Sequence, residues 1–331
     1  MLQVVCEVRD GTQIGAARRQ AKQVAVSTAL DEVMREHAAI IATELASNLW
    51  KHAGGGELLI QQISDESFDG MELLAIDRGP GIADVGRSMQ DGHSTTGTPG
   101  TGLGAARRLS HVFDLHSELG KGTVVMSRIG RNRDAGVPLP AWGAVMTNAP
   151  GETISGDQWS MALSNRNLLT LLVVDGLGHG VLAHEAARHA VRTFSEHHSE
   201  TPKDLLQRLH SALAGGRGAA VAIAQADLIT GSVTYAGVGN IAGMIIQADG
   251  RQLGLVSMNG TVGSDYISTR EFQYSWNPGE LLVMHSDGIR SHWSLNGRAG
   301  LTSRHPAIVS AVLHRDFLRG RDDATVIALT R

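Results

Sequence analysis

The chain has 331 residues, of which 42% are hydrophobic and 19% charged, and its formal net charge is −4. These values are typical of a folded globular protein, and the length allows two domains of ordinary size. Residues 1–130 carry 12 Lys and Arg against 16 Asp and Glu, and the remainder is balanced at 17 against 17. Neither part has the basic excess that charge-driven nucleic-acid binding requires.

The single cysteine, Cys6, excludes an intrachain disulfide and is typical of a reducing compartment. Charged residues interrupt the first ten positions, so no signal-peptide core is expected there. No run of about 18 apolar residues could span a bilayer. We therefore expect a cytoplasmic protein with neither a membrane nor a nucleic-acid partner.

The N-terminal part predicts an α/β sandwich that ends near Ile129. Apolar periodicity indicates helices over 15–29 and 31–52, and a further helix begins near Gly102. Strand patterns cover 57–64, 71–77, 114–117 and 123–129. A polar, glycine-rich stretch at 78–99 has the length and composition of a binding loop or lid. We assign residues 1–130 to this domain and 131–142, rich in Gly, Pro and charge, to a linker.

Residues 143–331 form the second predicted domain. Short strand-like runs fill it, at 144–148, 159–164, 168–174, 219–227, 232–238, 242–247, 281–285 and 324–329. Helical patterns at about 180–197 and 202–214 interrupt the strands as a block. Blocks of strands and helices of this kind favour a layered α+β sandwich.

Two polar residues, Glu44 and Asn48, share one face of the second predicted helix because they are four positions apart. An amide oxygen can bind Mg²⁺, and a neighbouring carboxylate can act as a general base. The alternative is an ordinary solvated helix face. Two glycine motifs follow, D-R-G-P-G after a strand and G-T-G-L-G at a helix start, and each alone is also compatible with a simple turn. Their candidate ligand residues are Asp77, Gly79, Gly81, Gly100, Gly102, Leu103 and Gly104.

In this order the motifs resemble the histidine-kinase-like ATPase superfamily (the GHKL or Bergerat fold), and within it the RsbT-type anti-sigma serine kinases. The resemblance covers about residues 10–130 and implies bound ATP and Mg²⁺. It implies that Asn48 holds the Mg²⁺, Asp77 binds the adenine amino group and Glu44 is the catalytic base, while Gly102 and Gly104 contact phosphate. No phosphoacceptor-histidine helix precedes the motifs, which argues against a histidine kinase.

Four acidic positions in the second domain lie beside glycine or at the end of an apolar strand: Asp157, Asp175, Asp287 and Asp322. Each alone could be a turn aspartate. Buried carboxylates are costly unless a cation neutralises them, and an all-oxygen set favours Mg²⁺ or Mn²⁺. Two such ions can activate a water for attack on phosphorus.

The set D-G-L-G-H-G, S-D-G and R-D-D resembles the type-2C metal-dependent phosphatases, in the branch named after stage II sporulation protein E, with G-V-G-N closest to the RsbX type. The resemblance implies an αββα sandwich and two Mn²⁺ or Mg²⁺ ions. It implies that the catalytic carboxylates Asp157 and Asp175 bridge the ions, aided by the Gly176 carbonyl, with Asp287 and Asp322 completing the centre. Asp323 is the alternative to Asp322, and His179 has either a phosphate-facing or a packing role. No phosphate-binding arginine is assigned. The scattered His197, His198, His210, His305 and His314 are expected to be solvated.

Together the resemblances imply a bifunctional regulator. Its phosphatase would act on phosphoserine or phosphothreonine of a STAS-domain protein, and its ATP-binding domain would bind and rephosphorylate that partner. Two alternatives remain: a purely nucleotide-gated regulatory module, and an anti-sigma factor that sequesters sigma. Further implied partners are a downstream phosphatase and a second copy of the chain, because related kinases often pair.

Overall fold

The computed structural model describes residues 3–89, 102–133, 139–165, 167–264 and 268–331. The chain divides into two compact units, Met1–Ala135 and Gly136–Arg331. None of the helices within the described ranges is long and apolar enough to cross a lipid bilayer.

The first unit is one antiparallel sheet with helices packed on a single face. Its elements are β1 Gln3–Val8, α1 Thr12–Val26, α2 Glu32–Ala53, β2 Gly56–Ser64, β3 Phe68–Ile76, α3 Val85–Ser88, α4 Gly102–Leu109, β4 Val112–Glu118 and β5 Gly122–Asn132. The strands are ordered β1-β2-β3-β5-β4, and every neighbouring pair is antiparallel. Helix side chains such as Leu45 and Leu49 share one apolar core with Ile60 and Leu73 of the sheet.

Helix α2 carries the first candidate site, and its two ends are well defined. The Asp31 side chain caps its start by accepting a hydrogen bond from the Met34 N–H at 2.9 Å. Gly54, at φ +74°, ends it in the left-handed conformation that glycine adopts without strain. Ala42 and Ala46 are fully buried on the face toward the core. The polar residues Glu44 and Asn48 are therefore left on a less buried side of the same helix.

The observed elements differ from the sequence expectation at the edges of the first sheet. Strand β1 was not predicted, since its only partner is β2 and charged residues follow it closely. Strand β5 extends to Asn132, which pairs with Phe68, and β6 begins at Ala141, so both overlap the predicted linker 131–142.

The second unit contains two five-stranded antiparallel sheets. Its elements are β6 Ala141–Thr147, β7 Asp157–Ser164, β8 Leu168–Gly176, α5 Val181–His197, α6 Pro202–Ala212, β9 Ala219–Asp227, β10 Ser232–Val238, β11 Ala242–Ile246, β12 Gln252–Leu255, β13 Phe272–Ser275, β14 Leu281–His285, α7 Pro306–Phe317 and β15 Ala324–Thr330. The sheets are ordered β13-β10-β9-β8-β7 and β12-β11-β14-β15-β6.

The layering of the second unit confirms the predicted α-β-β-α arrangement. Helices α5 and α6 pack on the sheet that contains β8, and α7 packs on the sheet that contains β6. Trp142 of β6 meets Trp159 of β7 edge-on, with ring centroids 5.2 Å apart, so the two sheets are in direct contact. The mixed α/β fold class expected for the whole chain is confirmed.

Helix α7 was not predicted, because it lacks the one-sided apolar stripe of a surface helix. Its residues from Pro306 to Arg315 are all buried, and a helix buried on every side shows no 3.6-residue alternation. His314, expected to be solvated, lies within this buried stretch and its Nε2 is 2.8 Å from Thr147 Oγ1. That expectation was wrong, because a lone histidine in an apolar run was assigned to solvent on residue type alone.

Candidate nucleotide pocket and metal centre

In the first unit, α2 and the start of α4 bring three predicted site residues together. A Cβ placed on Gly102 would lie 3.2 Å from Glu44 Oε2 and 3.3 Å from Asn48 Oδ1. The backbone of Gly102 therefore approaches both side chains closely. Asn48 Nδ2 is buried and has no hydrogen-bond partner among the described residues. An unsatisfied amide beside a glycine backbone is suited to a polar ligand.

A second group surrounds Asp77, at the end of β3. Asp77 Oδ1 accepts hydrogen bonds from the N–H groups of Gly79 (2.8 Å) and Thr123 (3.0 Å). Gly81 adopts φ +76°, and a Cβ there would lie 2.3 Å from the Glu118 carbonyl oxygen. The turn therefore requires glycine and holds the Asp77 carboxylate in one orientation against β5.

Helix α2 also links the two groups. A Cβ on Gly79 would come within 2.7 Å of Ala53, the last residue of α2, so the Asp77 turn lies against the same helix that carries Asn48. Leu103 packs against the apolar core and Gly104 is buried. Any ligand contact from these two residues would therefore come from the backbone. Gly100 lies outside the described residues.

In the second unit, the predicted carboxylates meet where the two sheets face each other. Asp157 begins β7 and pairs with Asp175 near the end of β8. Ser286, directly after β14 in the opposite sheet, donates its hydroxyl to Asp157 Oδ2 at 2.6 Å. Asp157 is only 1% exposed, and its Oδ1 has no hydrogen-bond partner among the described residues. This oxygen is a buried acceptor that the protein alone does not satisfy.

Burial and mutual repulsion raise the pKa values of these groups. Burial raises the pKa of Asp157 to about 7; interactions with the Ser286 and Thr325 hydroxyls partly offset this effect, and the charges of Asp323 and Asp287 add to it. The pKa of Asp175 rises to about 9, first through burial and then through the charges of Asp157, Asp287, Asp322 and Asp323. The charges of four neighbouring aspartates thus oppose the ionisation of Asp175, an effect that a nearby cation would reverse.

Asp287 and Gly176 complete the arrangement. Burial and the charge of Asp322 raise the pKa of Asp287. The charge of Arg319 lowers it, as does the Asn240 amide, which donates to Asp287 Oδ2 at 2.8 Å. A Cβ on Gly176 would lie 2.3 Å from the Ala183 carbonyl oxygen, so only glycine fits between β8 and the first turn of α5.

Asp322 and Asp323 have different surroundings. Both oxygens of the buried Asp323 are engaged, since Oδ1 accepts from Ala149 N and Oδ2 from Gly156 N, each at 2.7 Å. Asp322 is less buried, and its Oδ1 accepts from the Asp323 N–H at 2.9 Å. Asp323 therefore fastens the loop before β7, which leaves Asp322 as the better candidate for a ligand.

The donor set fits hard divalent cations, although its side chains are not yet in ligand geometry. Within the described ranges, no three His, Cys, Asp or Glu side chains are arranged to hold an ion as they stand. The chemistry nevertheless matches: every candidate donor is an oxygen, one buried oxygen is unpaired, and the pKa shifts all oppose ionisation without a cation.

The structure adds residues that the sequence reasoning did not assign. Ser286 and Asn240 orient two of the carboxylates, and both occur inside motifs already noted, S-D-G and G-V-G-N. His179 Nδ1 lies 2.6 Å from Glu152 Oε1, and the His179 side chain is exposed. This contact joins the loop after Asp175 to the loop before β7, and the role of His179 stays a prediction. Glu152 has no sequence pattern that could have revealed it.

Each unit has its own similar proteins. Residues 165–331 match the family described as stage II sporulation protein E (SpoIIE), and residues 8–128 match the histidine kinase-like ATPase domain. The chain is 37% identical over 114 residues to the serine/threonine-protein kinase RsbT of Bacillus subtilis (strain 168), a match that covers 34% of this chain and 86% of RsbT.

The second unit is similar to a different curated protein. The chain is 26% identical over 150 residues to the phosphoserine phosphatase RsbX of the same organism, covering 44% of this chain and 75% of RsbX. A solved structure described as "The bacterial stressosome: a modular system that has been adapted to control secondary messenger signaling" covers 58% of this chain and 100% of its own. Its TM-score is 0.52 and its identity 27%.

Proposed function

We propose that the chain is a bifunctional partner-switching enzyme, because it belongs to the SpoIIE family through its second unit and to the RsbT kinases through its first. The second unit hydrolyses phosphoserine or phosphothreonine on a STAS-domain protein with the help of Mn²⁺ or Mg²⁺. The first unit binds ATP with Mg²⁺ and phosphorylates the same partner. We place both activities in the cytoplasm.

The observation that carries the phosphatase assignment is the buried carboxylate cluster. Asp157 and Asp175 are adjacent across β7 and β8, and their pKa values are raised to about 7 and about 9. A structural ion-pair network would supply arginines or lysines to such a cluster, yet the neighbours that act on Asp175 are four further aspartates. Arg319 acts on Asp287, at the more exposed side of the cluster, and the excess of negative charge around Asp175 supports cation binding.

In this function Asp157, Asp175 and the Gly176 carbonyl would hold the ions, and Asp287 and Asp322 would complete the centre. The bound cations would supply positive charge to the phosphate oxygens and acidify a water molecule. Ser286 and Asn240 keep Asp157 and Asp287 turned toward the site before any cation arrives. Asp323 holds the loop before β7 in place, so that Asp157 remains at the centre.

The nucleotide assignment depends on the close approach of Gly102 to Glu44 and Asn48. Asn48 would bind the Mg²⁺ of the nucleotide, and Asp77, held by two backbone N–H groups, would accept from the adenine amino group. Glu44 would take the proton of the attacking serine or threonine hydroxyl. In this phosphate transfer the protein would therefore orient the nucleotide and supply Glu44 as the general base.

Phosphate release tests the phosphatase assignment. The purified chain is incubated with Mn²⁺ and a phosphorylated STAS-domain protein, alongside Asp175→Asn and a matched control, Asp249→Asn, whose carboxylate is exposed and pairs with Arg251. We expect release by the wild type and the control but not by Asp175→Asn. Equal release by all three proteins would refute the assignment.

Transfer of labelled phosphate tests the kinase assignment. Wild type, Glu44→Gln and Asn48→Ala are compared with Glu36→Gln, an exposed carboxylate on the same helix. Label on the STAS partner that depends on Glu44 and Asn48 supports a kinase. Nucleotide binding without transfer supports the regulatory alternative, and a stable sigma complex in the absence of transfer supports sequestration.

A further inference from the structure

One arginine of the second unit is held against the loop that carries Asp175. Arg217 lies in the short glycine-rich turn between α6 and β9, and its side chain is exposed. Asp175 pairs with Ala220, Gly176 with Ala219, and Leu177 N donates to the Gly218 carbonyl at 3.1 Å. The strand register therefore places Arg217 opposite Gly178, in the loop that follows the candidate metal ligands.

The side chain of Arg217 reaches across this loop. Its Nη1 donates to the Leu177 carbonyl at 3.2 Å. Gly178 adopts φ +85°, and a Cβ there would lie 2.7 Å from Arg217 Nη1. Gly178 thus adopts its positive φ without strain. Because it has no side chain, it also leaves the space that the Arg217 guanidinium occupies, and the arginine position therefore depends on this glycine.

The remaining donors of Arg217 have no acidic partner among the described residues. A guanidinium has five N–H donors, and one is committed to Leu177. Three other exposed or partly exposed arginines of this unit differ in being ion-paired: Arg208 with Glu200, Arg251 with Asp249, and Arg298 with Asp316. An exposed guanidinium anchored by one carbonyl, with its fork open, has the geometry for two parallel hydrogen bonds to a phosphate.

We propose that Arg217 binds the phosphate group of the substrate at the edge of the carboxylate centre, a role that rests on the proposed phosphatase function. The carboxylates would attract cations but repel the phosphoester dianion, and Arg217 supplies a positive charge from the polypeptide at that loop. It acts as a substrate-binding residue. It does not donate or accept a proton, since an arginine remains charged throughout the working pH range.

The test uses p-nitrophenyl phosphate and inorganic phosphate as probes of the Mn²⁺-loaded full chain. Arg217→Ala and Arg217→Lys are compared with Arg251→Ala, a matched exposed arginine at a distant turn. For Arg217→Ala we expect about a tenfold rise in KM and in the inhibition constant of inorganic phosphate. Lysine should recover only part of the loss, because it keeps the charge without the fork.

Two further readouts separate a binding role from a folding role. The melting temperature and the calorimetric Kd for Mn²⁺ should be unchanged in both Arg217 variants, while the calorimetric Kd for inorganic phosphate in the presence of Mn²⁺ rises in parallel with KM. A KM and a phosphate Kd that stay within twofold of wild type in Arg217→Ala would overturn the proposal.

The proposal and the phosphatase function can fail separately. Hydrolysis by wild type with no effect of Arg217→Ala overturns the arginine's role alone. Phosphate binding that depends on Arg217 in a chain that hydrolyses no phosphoester upholds the binding site and overturns the hydrolase.

Discussion

Asp77 in the first unit and Asp157 in the second illustrate two ways to place a carboxylate at a site. Asp77 Oδ1 accepts two backbone N–H groups, from Gly79 and Thr123. Asp157, by contrast, keeps one buried oxygen unpaired within the described residues and stands among like charges. Backbone N–H groups satisfy the Asp77 oxygen, whereas Asp157 has an electrostatic deficit that a cation would remove. Metal should therefore matter to folding and activity in the second unit, and to the first only through bound nucleotide.

The substitution Asp175→Asn should have the largest effect on the difference between the two sites. Asp175 is the most perturbed carboxylate, with a pKa of about 9 caused by burial and four acidic neighbours. We expect Mn²⁺-dependent phosphate release to fall by about a thousandfold or more, because metal charge typically contributes several kcal/mol to such reactions. Nucleotide binding, measured by fluorescence of a labelled ATP analogue, should be unchanged. Parallel loss of both activities would contradict the separation of the two sites.

The reciprocal change is Asn48→Ala in the first unit. Its amide is buried, unpaired within the described ranges and in contact with Gly102. We expect affinity for Mg²⁺-ATP to fall by about a hundredfold, because a ligand to the cation is lost. Phosphate release by the second unit should stay within about twofold of wild type. Titration calorimetry with and without Mg²⁺ measures the first effect, and unaltered affinity would remove Asn48 from the site.

The difference between the two candidate sites could be predicted only in part from the sequence. Local patterns identified candidate site residues, but they did not show which of them contact one another. The spacing of Glu44 and Asn48 placed both on one face of a helix, and the glycine after each strand indicated sharp turns. The family resemblances and the mixed α/β fold are confirmed. The assigned roles of the individual site residues stay predictions.

Contacts between distant segments could not be predicted, because they depend on packing. Ser286 reaches Asp157 over 129 positions of sequence, and Asp323 reaches Gly156 over 167. Helix α7 was not predicted for a related reason. A helix that is buried on all sides has no polar face, so its sequence lacks the 3.6-residue alternation of apolar and polar residues. Arg217 likewise had no motif, and only the pairing of β8 with β9 places it beside the Asp175 loop.

The neighbouring pair Asp322 and Asp323 offers a sharper comparison within one site. Asp323→Asn replaces one acceptor of the Ala149 and Gly156 N–H groups, so we expect about 1–3 kcal/mol lower unfolding free energy. Asp322→Asn should instead weaken Mn²⁺ binding with little loss of stability. Denaturant unfolding of the second unit and Mn²⁺ titration measure the two effects. If Asp323→Asn weakened Mn²⁺ binding and Asp322→Asn lowered stability instead, Asp323 would be the ligand.

The pH dependence of stability is a smaller effect of the same charge deficit. The raised folded-state pKa values of Asp157 and Asp175 mean that the metal-free folded protein binds more protons than the unfolded chain between about pH 4 and pH 9. Stability in EDTA should therefore fall as pH rises through this window. Burial lowers the pKa of His285, which acts in the opposite direction at the acidic end.

Comparison with Asp175→Asn isolates the carboxylate contribution. In EDTA, the melting temperature of the second unit should fall less steeply from pH 5 to pH 9 in this variant than in wild type, by a few degrees overall. Mn²⁺ should flatten the wild-type profile. Identical slopes for the two proteins would mean that Asp175 ionises in the folded state as easily as in the unfolded chain.

Calorimetric titration of Mn²⁺ into the nucleotide-free protein at pH 8 tests the central claim most directly. The buried carboxylates should bind Mn²⁺ with release of a proton, since the pKa of Asp175 is about 9 and this carboxyl must ionise to bind the ion at pH 8. Asp175→Asn should lose most of this binding. A wild-type titration indistinguishable from dilution into buffer, or equal binding by the variant, would contradict the cation site on which the phosphatase assignment depends.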